Sequence, residues 1–561
     1  MTRIHEIADG YVATYAALDP TGATQAGIDE HSTRLTDHSP DGIAARSDLA
    51  RATRRAVLEA EPANERDRVA AEYLAERLGA QLALEELGEG FRALSVLGGP
   101  IQETRMVFDA MAREDRDDWE AVALRLGEVP ASLASARAAL EEGRARRIVA
   151  ARRQAAGVAR QAAAWAGLEG TQPFFTRLVA GYDAWSVGRA GDPSLRAALA
   201  AGADAASAAF AETVEYLERT YLPDADPHDA VGTDRYEAWS QYYNGTAHDL
   251  DEAYAWGWEE LHRIEDAMRA VCASILPGAS IDETMAHLDA DPAGSIEGED
   301  AFRAWLQDLL DRSVSELHGR HFDIPERVRR VEAMIAPPGG GAAMYYTVPS
   351  EDFSRPGRTW YPTQGMNRFP TWGEVSTCYH EGVPGHHLQC GLVVDLGDAL
   401  TRFQRTIGWN SGHGEGWALY AERLMGELGY LAEPAHELGM LRAHALRAVR
   451  VIIDIGMHLE LRVPATEPGI GGEVWTPALG LRFADEHAHL PPHQLGFEVD
   501  RYLGEPGQAI SYKLGERVWL DARADARRRH GAEFDLRAWH AYALDLGPLG
   551  LDLLAEELAR F

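Results

Sequence analysis

At 561 residues the chain is long enough for several domains, and 46% hydrophobic with 25% charged residues is the composition of a globular protein with ample core. Its formal net charge of −34 argues against a nucleic-acid partner, because a phosphate backbone would be repelled by most of the surface. No stretch approaches the roughly 20 apolar residues of a membrane span, so no membrane partner is expected.

The first residues, Met1-Thr2-Arg3-Ile4-His5-Glu6, lack a basic region followed by an apolar run. Three cysteines, Cys272, Cys378 and Cys390, make no disulfide framework, and the last two read as small buried residues beside the motif described below. The expected compartment is therefore the cytoplasm. Asp19-Pro20-Thr21-Gly22 and Ser39-Pro40-Asp41-Gly42 read as turns. After Glu61-Pro62, the spacing of Ala70, Tyr73, Leu74 and Leu78 predicts an amphipathic helix. Gly98-Gly99-Pro100 breaks the chain, Asp117-Asp118-Trp119 starts a helix, and Gly127-Glu128-Val129-Pro130 is expected to end it.

Residues 131–166 are rich in Ala, Arg, Glu and Leu and predict a helix. The basic patch of Arg144, Arg146, Arg147, Arg152 and Arg153 has no interleaved aromatics, so it reads as a solvated face paired with acids. Further helices are predicted over 197–217, 249–276 and 301–317. The texture changes at Ala336-Pro337-Pro338-Gly339-Gly340-Gly341, which divides an N-terminal helical region, 1–335, from a metal-site region, 336–561, within one continuous body. Met344-Tyr345-Tyr346-Thr347-Val348 and Thr359-Trp360-Tyr361 then predict a short β-hairpin about Arg355-Pro356-Gly357, a candidate shelf for an extended peptide.

The chemistry is concentrated in His380-Glu381-Gly382-Val383-Pro384-Gly385-His386-His387. Neutral imidazoles to hold a metal, with a carboxylate beside the first to act on water, are what a hydrolytic zinc site needs. In the H-E-x-x-H arrangement the two histidines lie one turn apart on one helix face. Here Pro384 occupies the second position, and on a straight helix His380 and His386 would sit roughly 9 Å apart, too far to share one ion. Pro384-Gly385 is therefore read as a two-residue insertion that bulges the helix, with His386 as second ligand and His387 in reserve. In His413-Gly414-Glu415-Gly416-Trp417-Ala418-Leu419-Tyr420-Ala421-Glu422, Glu415 between two glycines is the preferred third ligand, and Glu422 a partner orienting a ligand.

H-E-G-V-P-G-H-H-L-Q followed by G-E-G-W-A-L-Y-A-E resembles the bacterial family catalogued as domain of unknown function 885, which is grouped with the zincin-type metallopeptidases. Phe108-Asp109-Ala110-Met111, Gly232-Thr233-Asp234-Arg235-Tyr236, Arg355-Pro356-Gly357 and Pro506-Gly507-Gln508-Ala509 carry the same resemblance along nearly the whole chain. It implies a mainly α fold, a large helical zincin-like body with a small β element beside the metal helices. The second helix is also similar to the glutamate-ligand helix of angiotensin-converting-enzyme-like and thimet-oligopeptidase-like peptidases, which carries the ligand role to Glu415.

Residues 441–461 predict a buried helix and 464–492 a loop-rich stretch. Pro506 is placed to open a last helix, near which Tyr512 and Arg501 are candidates to stabilise an oxyanion. The expected function is zinc-dependent hydrolysis of a peptide substrate, with Zn2+ on His380, His386 and Glu415 and Glu381 as general base. A non-catalytic metal- or peptide-binding protein and a zinc hydrolase of other amides or esters stay open beside it.

Overall fold

Capping chemistry decides many of the helix starts. Asp19-Pro20 and Ser39-Pro40 are caps, not turns: the Asp19 carboxylate accepts from the Gly22 N–H at 3.0 Å and Ser39 Oγ from the Gly42 N–H at 3.2 Å. The proline after each opens helices Pro20–Gln25 and Pro40–Glu59. Proline costs nothing there, since the N–H it lacks is one that the first turn leaves without an intrahelical partner.

The computed structural model describes residues 2–170, 172–189, 191–336 and 344–561, the side chains of residues 492 and 493 excepted. It is mainly helical with two small sheets. The chain divides into two compact units: Met1–Ala63 with Arg77–Ala238 and Leu503–Glu505, and Asn64–Glu76 with Trp239–Tyr502 and Pro506–Phe561. The texture change at residue 336 falls inside the second unit; the Pro337-to-Gly341 run that marks it lies outside the described residues.

In the first unit, helix Arg116–Arg146 runs through Pro130, where an end was expected. Leu126, Val129, Leu133 and Leu140, on both sides of the proline, are all buried in the same core as Phe108, Phe175 and Phe210. Burial of each such side chain contributes roughly 1.5–3 kcal/mol, which together outweighs the ~3 kcal/mol cost of an interior proline. The helix stops at Arg147, with φ 61°, so the single helix expected over 131–166 is two, the second being Arg152–Ala166. Three of the five arginines of the patch pair with acids: Arg144 with Glu141 and Asp224, Arg146 with Glu142 and Arg153 with Asp229, at 2.5–3.1 Å.

The second unit contains the motif. Its long helices α1 (Leu250–Ile275) and α5 (Pro434–His458) pack together, with Tyr254, Trp258, Leu261 and Ile264 of α1 buried. Between them in sequence come strands β1 (Val331–Ile335), β2 (Tyr345–Thr347) and β3 (Gly357–Tyr361), then helices α2 (Glu374–Glu381), α3 (His386–Asp395) and α4 (Ser411–Glu427). The expected hairpin is present as β2 antiparallel to β3. A third strand, β1, runs parallel to β3 on its other side, so β2 is an edge among the described residues. The stretch 464–492, expected to be loop-rich, holds helix Pro477–His487, capped by Thr476. The last site helix, α6 (Ser511–His530), begins five residues after Pro506, which does not open it.

Helices α4 and α6 cross at backbone distance. A Cβ on Gly416 would lie 2.5 Å from the Gly515 carbonyl carbon, and one on Gly515 would lie 2.1 Å from the Gly412 oxygen. Beside this crossing, Trp417 and Trp519 meet with ring centroids 5.0 Å apart, both fully buried. One turn in, the buried Lys513 ammonium bonds Glu260 of α1 at 2.7 Å and Glu516 at 2.6 Å, which ties α6 to α1. A methyl group has no room at the crossing, and overpacking typically costs 1–3 kcal/mol. Gly515→Ala should lower unfolding stability in urea by roughly that amount or more. Gly496→Ala, a helical position open on all sides, should leave stability unchanged or slightly raised.

Candidate metal centre

The motif is two helices, not one bulged helix. Helix α2 ends at Glu381 because Gly382, with ψ −128°, turns the chain out of the helix, and α3 begins at His386. Residues 382–385 fold back over the end of α2. The Gly385 N–H donates to the Tyr379 carbonyl at 3.0 Å, and a Cβ on Gly385 would lie 1.9 Å from the His380 oxygen, so only glycine fits. The Val383–Pro384 bond is cis, and the Pro384 carbonyl accepts from the Trp417 indole N–H at 2.9 Å. Helix α4, which carries Glu415, thus holds the connection between the two histidines.

This places His386, not His387, beside His380. The His380 and His386 rings lie 4.9 Å apart at 87°, and each Nε2 is 3.5 Å from Glu415 Oε2. One ligand atom from each of the three lies within 4.8 Å of the others. Tetrahedral bonds of about 2.0–2.2 Å separate ligand atoms by roughly 3.3–3.6 Å, so two imidazoles and a carboxylate at this spacing suit a zinc-sized cation. His387, held in reserve by the sequence reading, is turned away. Its Nε2–H donates to the Val328 carbonyl at 2.7 Å, and its Nδ1 accepts from the Tyr346 hydroxyl at 3.0 Å. With both nitrogens engaged it has no lone pair for a metal.

Glu422 lies behind His380. Its Oε1 accepts from His380 Nδ1 at 2.8 Å and its Oε2 from the Ser376 hydroxyl. With Nδ1 donating to Glu422, Nε2 faces Glu415 and is the nitrogen that a metal would take in place of its proton, the arrangement in which a carboxylate fixes a ligand's tautomer. Burial opposes charge on His380, yet its bonds to Glu415 and Glu422 hold its pKa up at about 10. Burial likewise works against an ionised Glu415, but the two imidazoles outweigh it and keep that carboxyl well below its ordinary range. The field that holds a proton on His380 is the field that attracts a dication.

The remaining named residues also converge here. Glu381, 7% exposed, has its pKa raised by burial, with the neighbouring imidazoles opposing. The Tyr512 ring lies 6.4 Å from that of His380, nearly parallel, and Arg501 Nη2 reaches the Tyr512 hydroxyl at 3.4 Å and Gln508 Oε1 at 2.8 Å. Cys378 and Cys390 are buried free thiols whose pKa values burial pushes up to about 12, and neither belongs to the ligand set. Three neighbours escaped the sequence reading. Trp409, half exposed, stands 6.0 Å from the His386 ring, and Arg447 and Arg450 of α5 flank Tyr512. Arg450 within the apolar run Val449-Arg450-Val451-Ile452-Ile453 was a usable signal, since charge in a buried helix needs a reason.

Fold and site together define a mainly helical protein with a His-His-Glu cluster on three packed helices. The chain belongs to the family described as "Bacterial protein of unknown function (DUF885)", whose model matches residues 20–558. No curated protein matches it. It is similar in structure to a putative lipoprotein from Colwellia psychrerythraea, with TM-score 0.85, 20% identity, and 99% of this chain and 98% of that one covered. It is also similar to a putative lipoprotein of unknown function from Shewanella oneidensis, with TM-score 0.74, 16% identity and 99% of each chain covered. These descriptions overturn the cytoplasmic assignment. That assignment rested on the composition of the first residues and on the three cysteines, and the packing of a folded body is the same in either compartment. Among the described residues no helix is long and apolar enough to cross a membrane.

The ligand geometry yields a discriminating experiment. His386→Ala should abolish tight zinc binding, measured by metal content after dialysis, while His387→Ala should retain it. Glu422→Gln should keep the site but weaken zinc affinity by about 10–100-fold, the usual effect of removing a partner that orients a ligand.

Proposed function

We propose that this protein is a zinc-dependent peptidase. The observation that supports this most is Glu381, a buried carboxylate next to a His-His-Glu cluster and without a hydrogen-bond partner among the described residues. A metal-binding scaffold needs no such group, because a buried carboxylate left unpaired carries a desolvation cost that selection would otherwise remove. A general base does need it, and burial moves its pKa from the ordinary range towards neutrality, where proton abstraction is most effective.

His380, His386 and Glu415 would hold the zinc, with Glu422 keeping His380 in the tautomer whose Nε2 is free. When bound, zinc supplies Lewis acidity that lowers the pKa of water in the site towards neutrality. Glu381 takes the proton from the attacking water and passes it to the leaving amine. The Tyr512 hydroxyl donates a hydrogen bond to the oxygen that gains charge as the carbonyl becomes tetrahedral, and Arg501 adds positive charge behind it. An extended substrate would pair with the edge of β2, whose outer backbone groups have no neighbouring strand among the described residues. The setting we propose is that of a lipoprotein, as the two structural neighbours are described.

Glu381→Gln keeps the shape of the side chain but cannot accept the proton. The variant should retain full zinc content and lose about 10²–10⁴-fold in peptide hydrolysis, measured on a mixed peptide library by mass spectrometry. Undiminished turnover with zinc in place would overturn the assignment of the base.

A further inference from the structure

Beside the candidate metal centre three guanidinium groups surround Tyr512, and one carboxylate, Glu498, pairs with two of them. Arg447 and Arg450 stand one turn apart on α5, with Cζ atoms 5.6 Å and 4.8 Å from the centre of the Tyr512 ring. Arg501 reaches the hydroxyl of the same tyrosine. Glu498 compensates part of this charge, accepting from Arg450 Nη2 at 2.8 Å and lying 3.5 Å from Arg501 Nη1. Arg447 has no carboxylate within ion-pair distance among the described residues, and its hydrogen bond runs from Nη1 to the Ala443 carbonyl at 3.1 Å.

The three arginines do not have the same role. Arg450 is 5% exposed and bonded to both Glu498 and the Tyr502 hydroxyl, as a structural buried cation should be. Arg501 and Arg447 each keep a buried Nε without a partner. The pairing deficit does not come from a shortage of acids, because the chain has 88 Asp and Glu against 54 Lys and Arg. Arg501 with Tyr512 suffices for an oxyanion, and Arg447 acts on Glu381 and Glu422 only through its field, from beyond ion-pair distance, which leaves its guanidinium fork without a carboxylate bound to it.

We infer that Arg447, with Arg501, is a receptor for a carboxylate carried by the substrate. A planar guanidinium fork suits a carboxylate in two-bond geometry, and such a bond is stronger where water is partly excluded. The inference rests on the peptidase reading, since it assigns the substrate class to the same site: peptides with an anionic group near the bond that is cut. The carboxylate has two sources, the free C-terminus of a peptide or an acidic side chain.

Both sources are separated by calorimetric binding to the zinc-loaded, full-length Glu381→Gln protein. One peptide pair differs only in a C-terminal acid or amide, a second only in an internal Glu or Gln. The anionic member of one pair should bind at least ~10-fold tighter, the preference given by one charge-assisted contact, and the pair that shows it identifies the source. Adding Arg447→Met should bring the ratio close to one with zinc content unchanged, and Arg447→Lys should restore part of it, which loss of folding would not do. Equal affinities within both pairs, no binding of any of the four peptides, or a preference that survives Arg447→Met would each overturn the receptor. Carboxylate-selective binding by a wild-type protein that hydrolyses none of these peptides would sink the peptidase reading and leave the receptor standing. Hydrolysis without such selectivity would do the reverse.

Discussion

The contact on which the site depends is the close crossing of α4 and α6 at Gly412, Gly416 and Gly515. Glu415 is next to one of these glycines and Tyr512 is one turn before another, so the separation of the helix backbones fixes where the Glu415 carboxylate stands relative to the phenol. Close approach of two helices needs an absence of side chain more than any attractive group, and the tryptophans beside the crossing contribute the apolar burial that holds it. Lys513 adds a polar constraint. Its ammonium is completely buried between Glu260 and Glu516, so α6 cannot slide along α1 without separating charges away from water.

Around the crossing the charges are arranged in layers. The His-His-Glu cluster and Glu422 form an acidic interior that favours a cation, while α5 and helix Pro492–Gly504 bring Arg447, Arg450 and Arg501 against Tyr512. Tyr512 touches both groups, its ring 6.4 Å from that of His380 and under the Arg447 and Arg450 guanidinium groups. A substrate that places a carbonyl oxygen towards the metal and an anionic group towards the arginines would meet both fields with matching charge. That polarity is invisible in the net charge of the chain, which is acidic throughout.

The comparison with the Colwellia psychrerythraea and Shewanella oneidensis proteins shows how far the fold is independent of most side chains, since the backbone arrangement persists at 20% and 16% identity over essentially the full length. A fold that tolerates such divergence does not by itself specify chemistry. Functional argument here has to come from the site: which atoms converge, which are left without partners, and what charge surrounds them.

Much of the helical framework was legible from periodicity and capping, because both depend on residues within one or two turns of each other. The placing of His386 beside His380 was partly legible for the same reason: Pro384-Gly385 had to interrupt the helix, and removing it from the count selected His386. What local spacing could not supply was the form of the interruption. Helix α2 stops at Gly382, and the folded-back connection is held by the Trp417 indole, on a later helix, which bonds the Pro384 carbonyl. Pro130 misled in the opposite direction, since a long-range core overrode a local helix breaker. The dismissal of His387 needed Val328 and Tyr346, and the pairing deficit of Arg447 needed the position of Glu498; neither is a neighbour in sequence. The sequence by itself determined which groups could bind a metal and move a proton, because that is a property of the side chains. Only the tertiary structure decided which of them share a site, because hydrogen bonds and ion pairs act over a few ångströms, and distances that short between distant residues are set by how the helices pack.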